Sequence, residues 1–450
     1  MTAAPDATAR VASTALFTDR YELTMLDAAL HDGSAQRRCV FELFGRRLPG
    51  ARRFGVVAGT GRLLSLLQDF RFGDEELRFL SDNRVVDAET ISFLENYRFT
   101  GTITGYREGE LYFPGSPVLT VEGTFAEAVV LETLALSVLN HDSAVANAAA
   151  RMSIAAGDRP LAEMGSRRAS EHSAVAAARA AYIAGFGATS NLEAGRTWGI
   201  PTMGTAAHAW TLLHDSEEDA FRAQIAALGT GTTLLVDTYD IREGVETAIR
   251  VAGTGLGGVR IDSGDLPTVA AEVRAQLDAL GATGTKITVT SDLDEFAIAA
   301  LAASPVDSYG VGTSVVTGSG APTAGMVYKL VARQDSAGSW VAVAKTSTDK
   351  ASKGGRKAAF RTLERGVATS ELIAVADGFE TVPTGADHPE ARALHVTLVE
   401  AGEADAAYLG HDGVDAARAH HLQVREELPV RALALSRSEP ALPTRFIDVA

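Results

Sequence analysis

Cysteine is all but missing from this chain: Cys39 is the only one in 450 residues. One thiol can make neither an intrachain disulfide nor a cysteine-based metal cage, so a reducing cytoplasm is the expected setting. Positive charge is also short. Lysine and arginine number 41 against 57 aspartates and glutamates, a formal net charge of −16. That balance argues against whole-surface affinity for nucleic acid or an anionic membrane, while leaving room for a locally basic pocket. Arg167, Arg168 and the stretch from Lys345 to Arg361 can furnish one. Long apolar runs are absent as well. Glu132 interrupts the stretch from Val129 to Leu139, and Arg179 the stretch from Ser173 to Gly187, so neither has the make-up of a membrane span. The first residues, with Asp6 and Arg10, lack the apolar centre of a secretion signal.

What is present is an ordinary globular composition, 46% hydrophobic and 22% charged, in a chain long enough for two or three domains. Residues 1–15 are expected to form a disordered arm, and 16–140 a mixed α+β domain with a connecting helix. In that domain Val40 to Pro49 reads as a strand and Phe72 to Asn83 as a helix. Thr124 followed by Glu127 makes a capping box, from which a helix should run toward His141. Residues 141–320 carry a βα rhythm, and 321–450 are expected to rejoin the mixed domain. The segment from Met326 to Ser347 alternates like an antiparallel hairpin.

The chemistry lies in five short segments. They are EMGSRRA (Glu163 to Ala169), GTAAHAW (Gly204 to Trp210), TLLVDTYD (Thr233 to Asp240), GVRIDSGDL with ITVTSDLDE (Gly258 to Leu266 and Ile287 to Glu295), and YGVGTS (Tyr309 to Ser314). Each is an apolar run, then small or polar residues, then an amphipathic stretch, as in repeated βα units. Strand ends are expected near Met164, Thr189, Met203, Val236, Ile261, Thr290 and Gly312. Roughly seven such units predict an α/β barrel, irregular or incomplete, that gathers these residues at one mouth.

Gly310, Gly312 and Thr313, with Gly264 alongside, suit a phosphate cradle, because glycine lets backbone N–H groups approach an anion. Asp262 and Asp292 sit nearest the strands and suit ribose hydroxyls or Mg2+ through water, whereas Asp265 and Asp294 read as helix caps. Arg167 can hold a carboxylate or phosphate bidentately while Arg168 turns elsewhere. His208 opens a helix behind Gly204 and Thr205. It can be a structural residue, a general base, a metal ligand or a phosphoryl acceptor. His214, six residues on, faces the other way, which weakens the metal reading. GTGLGG (Gly253 to Gly258) has the dinucleotide-fingerprint spacing but precedes a strand instead of following one, so it reads as a loop.

Together with TDRYELTM (Thr18 to Met25), FELFGRRLP (Phe41 to Pro49), GATSN (Gly187 to Asn191) and YKLV (Tyr328 to Val331), these segments resemble the motifs of the nicotinate phosphoribosyltransferase family, in that family's order, from Thr18 to about Arg361. The resemblance implies an irregular (β/α) barrel of the type II phosphoribosyltransferases, with a second mixed α+β domain built from N- and C-terminal segments. It implies transfer of phosphoribose from phosphoribosyl pyrophosphate to nicotinate in NAD biosynthesis and salvage, with Mg2+ and with ATP hydrolysis coupled through a phosphohistidine. It also implies a homodimer with shared active sites. On this pattern His208 accepts the phosphoryl group and Asp262 orients it. Asp19, Tyr21 (from the other subunit), Arg167, Ser190, Thr205, Arg260 and Asp292 contact substrates, and Gly264, Gly312, Thr313, Lys350 and Arg356 contact phosphate. Met164 stands where the family often has Phe, and Lys353 near a usual Pro. Within the class, a nicotinamide- or quinolinate-specific enzyme is the alternative. Ser190, where a nicotinamide enzyme should carry an acid, speaks for nicotinate. Outside the class, a catalytically silent barrel that binds a phosphorylated metabolite remains.

Overall fold

The computed structural model describes residues 13–345, 353–376 and 391–449. The chain divides into two compact units, Met1–His141 with Ala324–Pro429 and Ser438–Ala450, and Asp142–Thr323 with Val430–Arg437. The division falls inside a single helix, Glu132–Ala156. Among the described residues no helix is long and apolar enough to cross a membrane.

The second unit holds a six-stranded parallel sheet. Leu161–Glu163 pairs on one side with Ala188–Thr189 and on the other with Ser308–Val311, which is followed by Lys286–Val289, Gly258–Ile261 and Thr233–Leu235. The last strand in sequence thus pairs with the first, as in a barrel. A single parallel bridge, Thr189 to Thr202, extends the ladder by one more stave. No strand pairing joins Thr202 to the Thr233–Leu235 strand, so the sheet curls into a partial barrel. All seven expected strand ends lie within two residues of an observed one, the shortest stave being the Thr202 bridge. The strands are apolar because helices pack outside and side chains fill the interior: Leu234, Val259, Ile261, Ile287, Val289 and Val311 are buried. The segment Val430–Arg437 belongs to this unit and not to the mixed one, tied in by Arg151 Nη2 donating to Leu435 O at 2.8 Å.

The first unit is antiparallel in the main. Its seven-stranded sheet runs Trp340–Ala342, Met326–Gln334, Arg38–Gly45, Leu119–Thr124, Thr102–Tyr106, His395–Glu400, Glu403–Ala404. A four-stranded sheet carries Arg356–Glu364 and Val367–Ala376. Arg38–Gly45 is buried along all but its first residue, so Glu42 in its middle needs a partner, and Lys357 Nζ supplies it at 2.7 Å. Arg361, fully buried, donates to Glu110, to Leu111 O and to Glu371. Residues 1–12 of the expected arm lie outside the described residues, whereas Thr14 and Ala15 are buried, Thr14 N donating to Asp69 O.

The helix expected from Thr124 starts as read, with the reciprocal capping box in place. It stops at Val129, and a second helix begins at Glu132. The interruption has a cause: Tyr97, Tyr328 and Thr18 hydroxyls donate to the carbonyls of Glu127, Ala128 and Val130, and Glu22 accepts from Thr133 N. Side chains from elsewhere in the unit take the backbone groups that a continuous helix would use. The helix read at Phe72 to Asn83 is Asp74–Asp82, and the hairpin after Pro322 pairs Met326–Gln334 with Trp340–Ala342.

His421 is fully buried on the Gly410–Arg425 helix; its Nδ1–H donates to Gly109 O at 2.9 Å while Nε2 has no partner. Burial pushes its pKa down to about 4 from the ordinary 6.5. Between those values the unfolded chain binds a proton that the folded chain refuses. Stability is therefore full above pH 6.5 and falls as pH drops toward 4. Thermal unfolding of wild type should show this loss relative to His421→Asn, which keeps a donor for Gly109 but does not titrate, by up to ~1.4 kcal/mol per pH unit. Parallel pH profiles of the two proteins from 7.5 to 5 would assign the acid sensitivity elsewhere.

Candidate active site

At the carboxyl ends of the parallel strands lies a cavity of about 480 Å³. It is lined by Met164, Ser166, Arg167 and Arg168 after the first strand, Ser190 after the second, and Met203 to Ala207 beyond the Thr202 bridge. Arg260 and Asp262, Thr290 to Asp292, and Gly310, Gly312 and Thr313 complete the wall. Of the residues expected to meet substrate or phosphate, the structure therefore brings together Arg167, Ser190, Thr205, Arg260, Asp262, Asp292, Gly312 and Thr313. Arg168, expected to turn away, lines it too.

Local geometry explains the arrangement. Arg260 rises from the barrel strand Gly258–Ile261 and lines the cavity. Its Nη1 donates to Thr205 Oγ1 at 3.3 Å and Ala206 O at 3.2 Å, so it reaches across to the segment that leaves the ladder at Thr202. Partial burial lowers its pKa from the ordinary arginine value, with Asp262 and Asp237 opposing that shift. Gly310 is required by packing: a Cβ there would stand 2.7 Å from both Met164 Sδ and Thr290 Cγ2. Ser291 holds φ 118° at the mouth, a strained conformation for a non-glycine residue and one that clusters at functional sites.

His208 is the first residue of the short helix His208–Leu213, as expected. Its Nδ1 lies 3.1 Å from Thr238 Oγ1, and its Nε2 lies 3.9 Å from both Asp237 Oδ1 and Asp262 Oδ2. Asp262 in turn accepts a hydrogen bond from Thr290 Oγ1. Asp237, which the sequence did not single out, belongs to this cluster. Its side chain is 1% exposed; Oδ2 accepts from Asp262 N at 2.8 Å and Ser263 Oγ at 2.9 Å, and Oδ1 has no hydrogen-bond partner. The available signal was its position directly after the apolar run TLLV. Nearby, burial together with Glu243, Asp237 and Asp240 pushes Glu217 up to about 7. His214 donates Nδ1–H to Trp210 O and stays within its own helix.

The remaining expectations fall as follows. Asp294 caps a helix, accepting from Phe296 N and Ala297 N. Asp265 occupies the N-cap position, but its carboxylate takes the Thr268 hydroxyl and no backbone N–H. Gly264, with φ 91°, makes the turn beside Asp262 without lining the cavity. Asp19 and Tyr21 belong to the first unit, where partial burial and then Glu132 push the Tyr21 phenol up to about 12. Arg356 is also in the first unit, ion-paired with Glu122, as is Lys353, whose Nζ lies 2.6 Å from Asp448 Oδ1. Lys350 lies outside the described residues. Among the described residues, the one group of three with metal-ligand geometry is Asp27, His31 and Asp87, on the first unit.

The chain resembles known proteins along most of its length. Residues 16–140 match the nicotinate phosphoribosyltransferase (NAPRTase) N-terminal domain and residues 160–373 the nicotinate phosphoribosyltransferase (NAPRTase) family. The chain is 56% identical to nicotinate phosphoribosyltransferase pncB1 of Mycobacterium tuberculosis, over 96% of this chain and 95% of that one. It is 38% identical to the nicotinate phosphoribosyltransferase of Bacillus subtilis, over 78% and 74%. In three dimensions it superposes on human nicotinic acid phosphoribosyltransferase with a TM-score of 0.78 at 26% identity, covering 96% of this chain and 97% of that one. The fold also matches nicotinate-nucleotide pyrophosphorylase from Pyrococcus furiosus, at a TM-score of 0.74 and 23% identity over 93% and 98%. With its two matched regions and its 56% identity to a relative covered nearly end to end, the chain belongs to the nicotinate phosphoribosyltransferase family.

Proposed function

We propose that this enzyme transfers phosphoribose from phosphoribosyl pyrophosphate to nicotinate, forming nicotinate mononucleotide and pyrophosphate. The observation that carries the reading is the convergence of Arg167, Ser190, Arg260, Asp262 and Thr313 on one cavity, with His208, next in the chain after the lining residue Ala207 though not itself in the lining, 3.9 Å from Asp262 and from Asp237. The pyridine nitrogen forms a bond to ribose C1 as the C1–O bond to pyrophosphate breaks, and pyrophosphate leaves with the bonding electrons. Asp262 and Asp292 set oxygen atoms where C1 turns cationic, and Arg260 and the Gly312–Thr313 backbone suit the departing anion. Mg2+ accepts one or two carboxylates plus substrate phosphates; Asp262 and the unpartnered Asp237 Oδ1 fit that role, and the ion supplies neutralisation of the pyrophosphate charge.

Coupling to ATP runs through His208. With Nδ1–H donating to Thr238 Oγ1, the lone pair of Nε2 is free to take the γ-phosphoryl group, with ADP leaving. Asp237 and Asp262 then stand beside a ring that has gained positive charge. The assembly we infer is a homodimer with shared sites. Phe17, Tyr21 and Met25, spaced four apart on and before the first helix, are exposed at 61%, 46% and 37%, an apolar stripe that suits a second copy of the chain. A cytoplasmic setting accords with the single buried Cys39.

Incubation with phosphoribosyl pyrophosphate, Mg2+, ATP and either base, followed by identification of the nucleotide, tests the assignment. Ser190 and Arg167 offer donors to a carboxylate, whereas a carboxamide would turn its N–H2 toward them at a cost of roughly 1–3 kcal/mol. Nicotinate should therefore be preferred over nicotinamide by at least about tenfold, and Ser190→Asp should weaken nicotinate use by setting like charge against it. Equal kcat/KM for the two bases in wild type would defeat the carboxylate assignment. His208→Ala should abolish acid-labile labelling from γ-labelled ATP and remove ATP stimulation in a folded protein; undiminished labelling would move the phosphoryl acceptor elsewhere. Mixing inactive Tyr21→Ala and His208→Ala subunits should restore part of the activity, and subunit exchange without any recovery would rule out shared sites.

A further inference from the structure

The loops bearing Arg167 and Ser190 are tied together by a closed set of hydrogen bonds centred on a residue that the chemistry above does not use. Glu163 ends its strand 1% exposed. Its Oε1 accepts from Gly165 N, its Oε2 accepts from Thr189 Oγ1 at 2.6 Å, and its main-chain carbonyl accepts from Ser190 N at 2.8 Å. Thr189 Oγ1 in turn accepts from Asn191 N at 3.0 Å, and Asn191 Nδ2 donates to Ser166 Oγ at 2.9 Å. The circuit thus returns to the turn that presents Arg167. Gly165 in that turn packs too closely for any side chain, since a Cβ there would stand 2.2 Å from Val316 Cγ1.

A buried carboxylate is costly to desolvate, and burial raises the pKa of Glu163. What a carboxylate offers in return is acceptor capacity on both oxygens with no donor of its own, so it can hold two donors from two loops at once. Glutamine can keep the Gly165 N–H on its carbonyl oxygen only by turning its N–H2 to the Thr189 hydroxyl, which reverses that bond onto the hydroxyl's second lone pair and replaces two charge-assisted bonds with weaker neutral ones.

We propose that Glu163, acting through Thr189, is a positioning residue that fixes the separation of Arg167 and Ser190 and thereby the preference of the site for a pyridine carboxylate over the corresponding carboxamide. The inference rests on the proposed phosphoribosyl transfer to nicotinate. Neither Glu163 nor Thr189 lines the cavity, so both act by orienting the residues that do.

The test is steady-state kinetics of Glu163→Gln, Thr189→Val and Thr189→Ser with nicotinate and with nicotinamide, at saturating phosphoribosyl pyrophosphate and ATP. Gln and Val should raise the KM for nicotinate and cut the nicotinate-to-nicotinamide ratio by about tenfold, with kcat and the KM for phosphoribosyl pyrophosphate within about threefold of wild type. Thr189→Ser keeps the hydroxyl and should restore the wild-type ratio. A merely structural role would lower the melting temperature and leave the ratio and the KM split unmoved, and that result in Thr189→Val overturns the proposal even if Glu163→Gln fails to fold. Wild type that does not use nicotinate at all would sink the functional reading, whereas an active wild type with an unchanged ratio in the variants would sink only the positioning role.

Discussion

The parallel ladder of the barrel unit lapses after Thr202 and resumes at Thr233, and the site depends on that interruption. Met203 N still donates to Thr189 O, and a closed ring would commit the backbone beyond it, residues 204–207, to strand pairing. Left out of the ladder, this segment lines the cavity instead, and Gly204 has open space where a side chain would stand. Arg260 bridges the opening with its guanidinium, holding Thr205 and Ala206 from the opposite wall. One side-chain fork thus stands in for the backbone pairing that the barrel lacks there, two residues before the helix bearing His208 begins.

The two units solve the problem of buried charge differently. In the first, Lys357 and Glu42 pair at 3% exposure each, and Arg361 donates to Glu110, Glu371 and a carbonyl, with Glu42 Oε1 and Arg361 Nε left without a hydrogen bond. These groups have their opposite charges beside them and are committed to structure. In the barrel unit Asp237, as deeply buried, has His208 Nε2 3.9 Å from its unpartnered oxygen, and Glu217, also with an unpartnered oxygen, lies beside the acids Glu243, Asp237 and Asp240. An unpaired buried carboxylate costs stability and is retained where an incoming charge can use it.

Much of the barrel was legible because its signals are local. Each strand is a short apolar run closed by Gly, Asp or Ser, and the observed strands finish at Glu163, Thr189, Leu235, Ile261, Val289 and Val311. Which of two aspartates turns inward is not local. TLLVDTYD offers Asp237 and Asp240; Asp240 caps the Ile241–Ala252 helix through Glu243 N, and Asp237 goes beneath His208. The pairing of Arg38–Gly45 with Met326–Gln334 lay equally out of reach, since no periodicity reports a partner that far along the chain. The break after Val129 was hidden for the same reason: its hydroxyl donors sit at Thr18, Tyr97 and Tyr328.

The long-range pairing of Arg38–Gly45 also sets an order of events on the ribosome. That strand is central in its sheet, with Leu119–Thr124 on one side and Met326–Gln334 on the other. The first neighbour emerges soon after it; the second must wait for residues 142–323. At about 5–20 residues per second that interval is roughly 9–36 s. The barrel strands, contiguous in the chain, are all made within it, while both edges of the earlier sheet stay unpaired, that of Thr102–Tyr106 until His395–Glu400 follows. A nascent chain therefore carries an open strand edge for tens of seconds, the kind of surface on which neighbouring chains of a polysome pair wrongly and which a chaperone must cover until Met326–Gln334 arrives.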